Sequence, residues 1–151
     1  MNSILRNENG KKVEKKKHDF ADSRIMDIKM MSNTVIILFS DGYCHMLQLS
    51  ANILTENFAN VKLVHNVTKI CISENHCPLR MAKIGTAIGT VDSGGFFKIW
   101  NFGYGNSYSQ TDPCELKEFS TLRIDNAGLN ALLALDLTTI FAGGDRQWVF
   151  Y

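Results

Sequence analysis

A strand–turn–strand unit occurs three times in this chain at nearly constant spacing. Leu38-Phe39-Ser40-Asp41-Gly42-Tyr43-Cys44-His45-Met46-Leu47, Val91-Asp92-Ser93-Gly94-Gly95-Phe96-Phe97-Lys98-Ile99-Trp100 and Phe141-Ala142-Gly143-Gly144-Asp145-Arg146-Gln147-Trp148-Val149-Phe150 superimpose without a gap. Each is an apolar strand, a turn of Ser, Gly and Asp, and a second strand that carries a large apolar residue five positions past the turn. That residue is Leu47, Trp100 or Phe150, and the offsets are 53 and 50 residues. A unit of this kind cannot bury its apolar face alone. Consecutive copies must therefore stack on one another.

A repeat of roughly 40–50 residues with paired strands is what β-propeller blades produce. The turn is expected between the third and fourth strands of each blade, with glycine and aspartate supplying backbone of positive φ. The large residue is expected to pack between neighbouring blades. Other segments fit an all-β reading. Val35 to Phe39 is β-branched and apolar, Asp41-Gly42 is a strong hairpin signal, and Tyr43 to Leu49 alternates. Lys83 to Val91 is apolar but interrupted by glycine, Phe96 to Phe102 reads as a strand, and so does Thr121 to Ile124. Leu and Ala enrichment from Gly128 to Leu137 allows a short helix, but the following Thr138 to Ala142 favours strand, turn and strand.

The 151 residues suffice for one domain, and the three units divide residues 25–151 into blades at about 25–60, 61–105 and 115–151. Residues 1–24 read as a polar, disordered tail in which Lys11 to Lys17 places five lysines in seven positions. That run is either a solvated tail or an anionic-surface and nuclear-localisation patch. A formal charge of +1 excludes a strongly basic nucleic-acid binder as a whole-chain description. Neither an 18-residue apolar run nor a secretory signal pattern is present, so the expected location is cytoplasmic or nuclear, away from the membrane.

Gly89-Thr90-Val91-Asp92-Ser93-Gly94-Gly95-Phe96-Phe97-Lys98-Ile99-Trp100-Asn101 resembles the end of a WD40 repeat. In that family a small-residue turn precedes a strand reading apolar, Lys or Arg, apolar, Trp, then Asp or Asn. Lys98, Ile99, Trp100 and Asn101 fit it, and Phe141 to Asp145 resembles the same strand and turn. No Gly-His pair opens a repeat, the first copy has Leu47-Gln48 where Trp-Asp is usual, and the third has Phe150-Tyr151. The turn aspartate that such repeats place before the third strand has a counterpart only at Asp136. The resemblance spans about residues 25–151 and implies an incomplete ring of about three blades. Asp41, Gly42, Gly94, Gly95, Trp100, Asp136, Gly143, Gly144 and Asp145 are its structural residues. About four to eight blades close a propeller. The chain is therefore expected to be a fragment of a larger propeller or a subunit that other chains complete.

The residues offer no catalytic constellation: no phosphate-binding glycine motif, no nucleophile elbow, and four scattered histidines. Cys44, Cys71, Cys77 and Cys114 lack C-x₂-C spacing and read as plain thiols, with His76, Cys77 and Cys71 a poor zinc set. No metal or cofactor is expected. Phe96, Phe97, Trp100, Phe102, Tyr104 and Tyr108 could form a base-stacking platform, but blade core is the better account. Arg146 and Trp148, just past a turn, are the candidate protein-binding residues, since these residue types dominate interface energetics. The expected function is a non-catalytic protein-interaction scaffold within a multiprotein complex. The alternative is an accessory subunit of an RNA-processing or tRNA-modifying enzyme, with the Lys11–Lys17 run contacting RNA.

Overall fold

The computed structural model describes residues 23–50, 61–63, 68–104, 114–144 and 148–150. Among these there is no helix, and all the regular structure is strand. Three antiparallel sheets follow one another along the chain, and none closes on itself. The first holds β1 (Ile25–Met31), β2 (Thr34–Phe39), β3 (Tyr43–Gln48) and β4 (Thr68–Cys71). The second holds β5 (Pro78–Ile84), β6 (Ala87–Asp92), β7 (Phe96–Tyr104) and β8 (Cys114–Arg123). The third holds β9 (Leu129–Ala134), β10 (Ile140–Gly144) and β11 (Trp148–Phe150). In each sheet spatial order equals chain order, with tight hairpins joining the second and third strands of the first two sheets. The segment that could be helix or strand, Gly128 to Leu137, forms β9 and the turn after it.

The repeated turn joins the second and third strands of its sheet, not the third and fourth. The fourth strands, β4 and β8, come from chain that sequence spacing assigned to the following unit. β4 pairs with β3, and β8 pairs along the whole of β7. Long connections separate these partners, so nothing local in the sequence marks the pairing.

The first two sheets repeat in register at the 53-residue offset. Leu38 pairs with Cys44 and Val91 with Phe97, while Val35 pairs with Leu47 and Ile88 with Trp100. The irregularity between Ile25 and Asp27 recurs between Pro78 and Arg80. The third unit departs. Phe141 pairs with Phe150, so the strand after its turn enters three residues later than the gapless alignment places it. Its first hairpin also differs. Two residues separate Met31 from Thr34 and Ile84 from Ala87, but five separate Ala134 from Ile140.

Packing follows the pleat, because alternate residues of a strand point to opposite faces. Ile36, Leu38, Cys44 and Met46 on one face of the first sheet meet Met81, Ile88, Trp100 and Leu116 on the second. The opposite face of the second sheet, with Ile84, Val91 and Phe97, meets Leu129, Ile140 and Ala142. Trp100 is 4% exposed and donates its indole N–H to Thr90 Oγ1 at 2.9 Å, which satisfies the polar end of a buried aromatic. The first strands lie side by side, β1 against β5 and β5 against β9. Asp27 ties the first two sheets, accepting the Met81 N–H at 2.8 Å and pairing with Lys29 at 2.8 Å.

Gly42 and Gly95 occupy the same turn position, with φ of 91° and 79°. The Gly42 carbonyl accepts the N–H groups of Ile72 and Ser73, and the Gly95 carbonyl those of Ile124 and Asp125. A Cβ at either glycine would collide with a backbone oxygen, that of Ser73 or of Asp125. Left-handed backbone costs a non-glycine residue about 1–2 kcal/mol before any collision. Gly42→Ala or Gly95→Ala is expected to destabilise the fold by at least about 2 kcal/mol in urea unfolding. Gly103→Ala, where a Cβ meets nothing, is expected to stay within about 0.5 kcal/mol of the parent.

Candidate functional site

The two repeated turns are anchored by serine. Ser40 exchanges two hydrogen bonds with Arg24, its Oγ accepting Arg24 N–H at 2.9 Å and its own N–H reaching Arg24 O at 2.8 Å. Ser93 makes the same pair with Cys77, at 3.0 and 2.9 Å. Each serine thus clamps the residue that leads into the first strand of its sheet. Aspartate closes the turns, but from different positions. Asp41 Oδ1 accepts the Tyr43 N–H at 3.1 Å, whereas Asp92 Oδ1 accepts the N–H groups of Gly94 and Phe96 at 2.9 and 3.1 Å. Buried Asp92 also takes the Ser73 hydroxyl at 3.2 Å, which binds the linker after β4 to the second sheet.

The expected structural residues therefore fall into place unevenly. Asp41, Gly42, Gly94 and Gly95 form the two turns, and Trp100 fills the space between sheets. Asp136 sits in the β9–β10 turn, ahead of the second strand of its sheet rather than the third. Its Oδ1 accepts from Thr138 N and Oγ1 and from Thr139 N, and the Thr138 backbone bond leads in holding its carboxyl below the usual range. Gly143 and Gly144 end β10, and Trp148 pairs with Gly143 across to β11. Asp145 and Arg146 lie outside the described residues, as does the Lys11–Lys17 run.

A cleft of about 320 Å³ opens where the linker after β4 passes the outer strands of the second sheet. Glu74 and His76 form one wall, and Lys98, Glu118 and Thr121 the other, with Phe96 between. His76 stacks on Phe96 at 5.5 Å, and the Arg123 guanidinium lies 5.4 Å from the same ring. Lys98 Nζ donates to Ile72 O at 3.1 Å and stands 3.4 Å from Glu118. The Thr121 hydroxyl, 2.6 Å away, holds the Glu118 carboxyl below the usual range, and Lys98 reinforces it. Glu118 therefore stays ionised at neutral pH, which makes it a poor general acid.

Cys71 also lines the cleft. Burial and the nearby Glu74 push its thiol up, against a weaker opposing pull from Lys98. A raised thiol is a poor nucleophile at neutral pH. Among the described residues no group of three or more His, Cys, Asp or Glu side chains could hold a metal ion. The cleft was not legible in the sequence. Its residues are up to 50 positions apart, from Cys71 to Thr121, and they are gathered by the β7–β8 pairing together with the Ser73–Asp92 and Lys98–Ile72 hydrogen bonds.

Comparison of the chain with models of known protein families gives no match. Comparison with curated proteins gives none either. The class that the fold defines is an all-β protein of consecutive antiparallel meanders. No helix among the described residues is long and apolar enough to cross a membrane.

Two outcomes test this description of the site. Burial pushes the buried Cys44 thiol up to about 12. In peptide mapping after brief iodoacetamide treatment at pH 8, the exposed Cys71 should label first, Cys77 later, and Cys44 only on unfolding. Thr121→Val should raise the Glu118 pKa toward its ordinary 4.5 in a carboxyl NMR titration. The sign follows from the lowered folded value. The stabilisation that Glu118 gains is present above the ordinary carboxylate range and is lost as pH falls through the folded value, so the variant should lose pH dependence on the acid side.

Proposed function

We propose that this chain is a set of three β-propeller blades of WD40 type that serves as a non-catalytic protein-interaction scaffold. The observation that carries this reading is the way the sheets stack. Each is a meander in chain order, the first strands β1, β5 and β9 stand in a row, and an apolar core fills each space between sheets. A propeller is built from this arrangement repeated around an axis, with first strands innermost.

A scaffold needs surfaces that recognise rather than react, and the rim of the second sheet supplies one. The cleft presents an ionised pair, Lys98 and Glu118, beside a histidine stacked on an aromatic ring. Mixed charge beside aromatic surface suits a polar segment of a partner protein. Arg146 and Trp148 remain the sequence's candidates for a second contact.

The test is isolation of the tagged full chain from cells at physiological salt, followed by single-particle imaging. A stoichiometric complex containing a ring of sheets around a central opening is expected. Glu118→Lys should weaken retention of a partner that uses the cleft by about tenfold, with circular dichroism separating this from the loss of the Thr121 and Lys98 contacts. Recovery of a compact monomer with no partner sinks the reading.

A further inference from the structure

We propose that a second copy of this chain covers the two apolar sheet faces left open here, joining head to tail. The outward face of the third sheet of one copy lies on the outward face of the first sheet of the other. This rests on the propeller reading above.

The argument begins with the two sheet-to-sheet contacts within the chain, which are of one kind. The face bearing Leu38 and Cys44 in the first sheet corresponds, at the 53-residue offset, to the face bearing Val91 and Phe97 in the second. Each packs forward onto the next sheet. Each receiving face is the opposite one, carrying Ile88 and Trp100 in the second sheet, and Ile140 and Ala142 in the third. The chain thus makes a front-on-back contact twice.

What stays open is one back and one front. On the first sheet, Val35 and Leu47 stand where Ile88 and Trp100 stand on the second. They share a face with Ile37, Phe39 and Ile28, and with Tyr43, His45 and Lys69, by pairing. Ile88 and Trp100 are covered to 1% and 4% exposure, but Ile28 is 51% exposed and Val35 and Leu47 are only half-buried. On the third sheet, Phe141 aligns with Leu38 and Val91, and it pairs with Leu133, which is 56% exposed. Large apolar side chains exposed on a sheet face mark contact surfaces. The open back is the surface in this molecule whose residue positions match those that already receive a front. A second copy supplies it.

The number of copies follows from closure. Head-to-tail contacts give a ring if the rotation closes and a filament if it does not. Propeller rings close at about four to eight blades. The described residues contribute three sheets. Two copies are the only multiple within that range, and they bury both open faces twice over.

Light scattering on the eluting full chain at micromolar concentration tests this, with far-UV circular dichroism as the check on folding. The expected particle has twice the 17.0 kDa of one chain. Ile28→Asp on the first sheet and Leu133→Asp on the third should each raise the dimer dissociation constant at least about tenfold. Leu47→Asp serves as a second variant if Ile28→Asp does not fold, and Ile28→Val and Leu133→Ile should leave the dimer intact. The decisive sample is an equimolar mixture of the two aspartate variants. In a head-to-tail ring, one of its two junctions then joins two unmodified faces, so the dimer should return in part. A dimer that only Ile28→Asp disrupts, with no return on mixing, is back to back and overturns the proposal. A wild-type chain that is monomeric, unfolded or aggregated also overturns it. If such a chain is nevertheless found in rings with other proteins in cells, the scaffold reading stands and self-pairing alone falls.

Discussion

A β-sheet with two apolar faces cannot stop at its own edges, because each face must be removed from water by another layer. The second sheet is the clearest case. Trp100 and Ile88 look one way and Val91 and Phe97 the other, and both sets are buried only because a sheet lies on each side. Remove either neighbour and a Trp, an Ile and a Met, or a Phe and a Val, return to solvent. Burying a single such side chain is worth about 1.5–3 kcal/mol, so each neighbouring sheet is an integral part of the stability of the middle one. The hairpins shape the layers, but the layers hold one another.

Polar contacts then fix how the layers sit. Ser40 and Ser93 clamp the chain as it enters the first strand of a sheet, and Gly42 and Gly95 let the chain leaving the last strand approach the turn closely. Asp27 and Asp92 cross from one sheet or linker to the next through buried or half-buried bonds. Such bonds add little net energy each, but leaving one partner buried and unpaired costs more, so they select one stacking geometry among several that would bury similar area.

How much of this was legible depends on whether the signal is local. Asp41-Gly42 and the alternation from Tyr43 give a hairpin within ten residues, and the 53-residue offset is matched pair by pair in β2–β3 and β6–β7. Lys83 to Val91 reads as one glycine-rich apolar run, yet Gly85-Thr86 turns it into two strands. The outer strands were assigned to the wrong neighbours because their partners are non-local; no local pattern says that Leu122 pairs with Phe97. The third unit keeps its composition but not its register, since a gapless alignment cannot see that the strand after Gly144 enters three residues late. The serine clamps escaped notice because a serine in a turn looks the same whether it faces water or holds Arg24 or Cys77.

The cleft and the open faces divide the surface into two kinds of chemistry. The first sheet's outward face carries Ile28, Val35, Ile37 and Leu47 beside Tyr43, His45 and Lys69, and the third sheet's carries the exposed Leu133. The cleft is polar, holds Glu118 ionised, and is walled on one side by a linker rather than a strand. On the proposed reading, a surface of the first kind builds an assembly and one of the second kind is left over for recognition. Because Ser73 and Lys98 tie that linker to the second sheet through Asp92 and Ile72, the shape of the cleft depends on the first two sheets staying packed. The cleft is therefore coupled to the apolar stacking beneath it, and a change that loosens the Trp100 layer should reach the cleft without touching any residue in it.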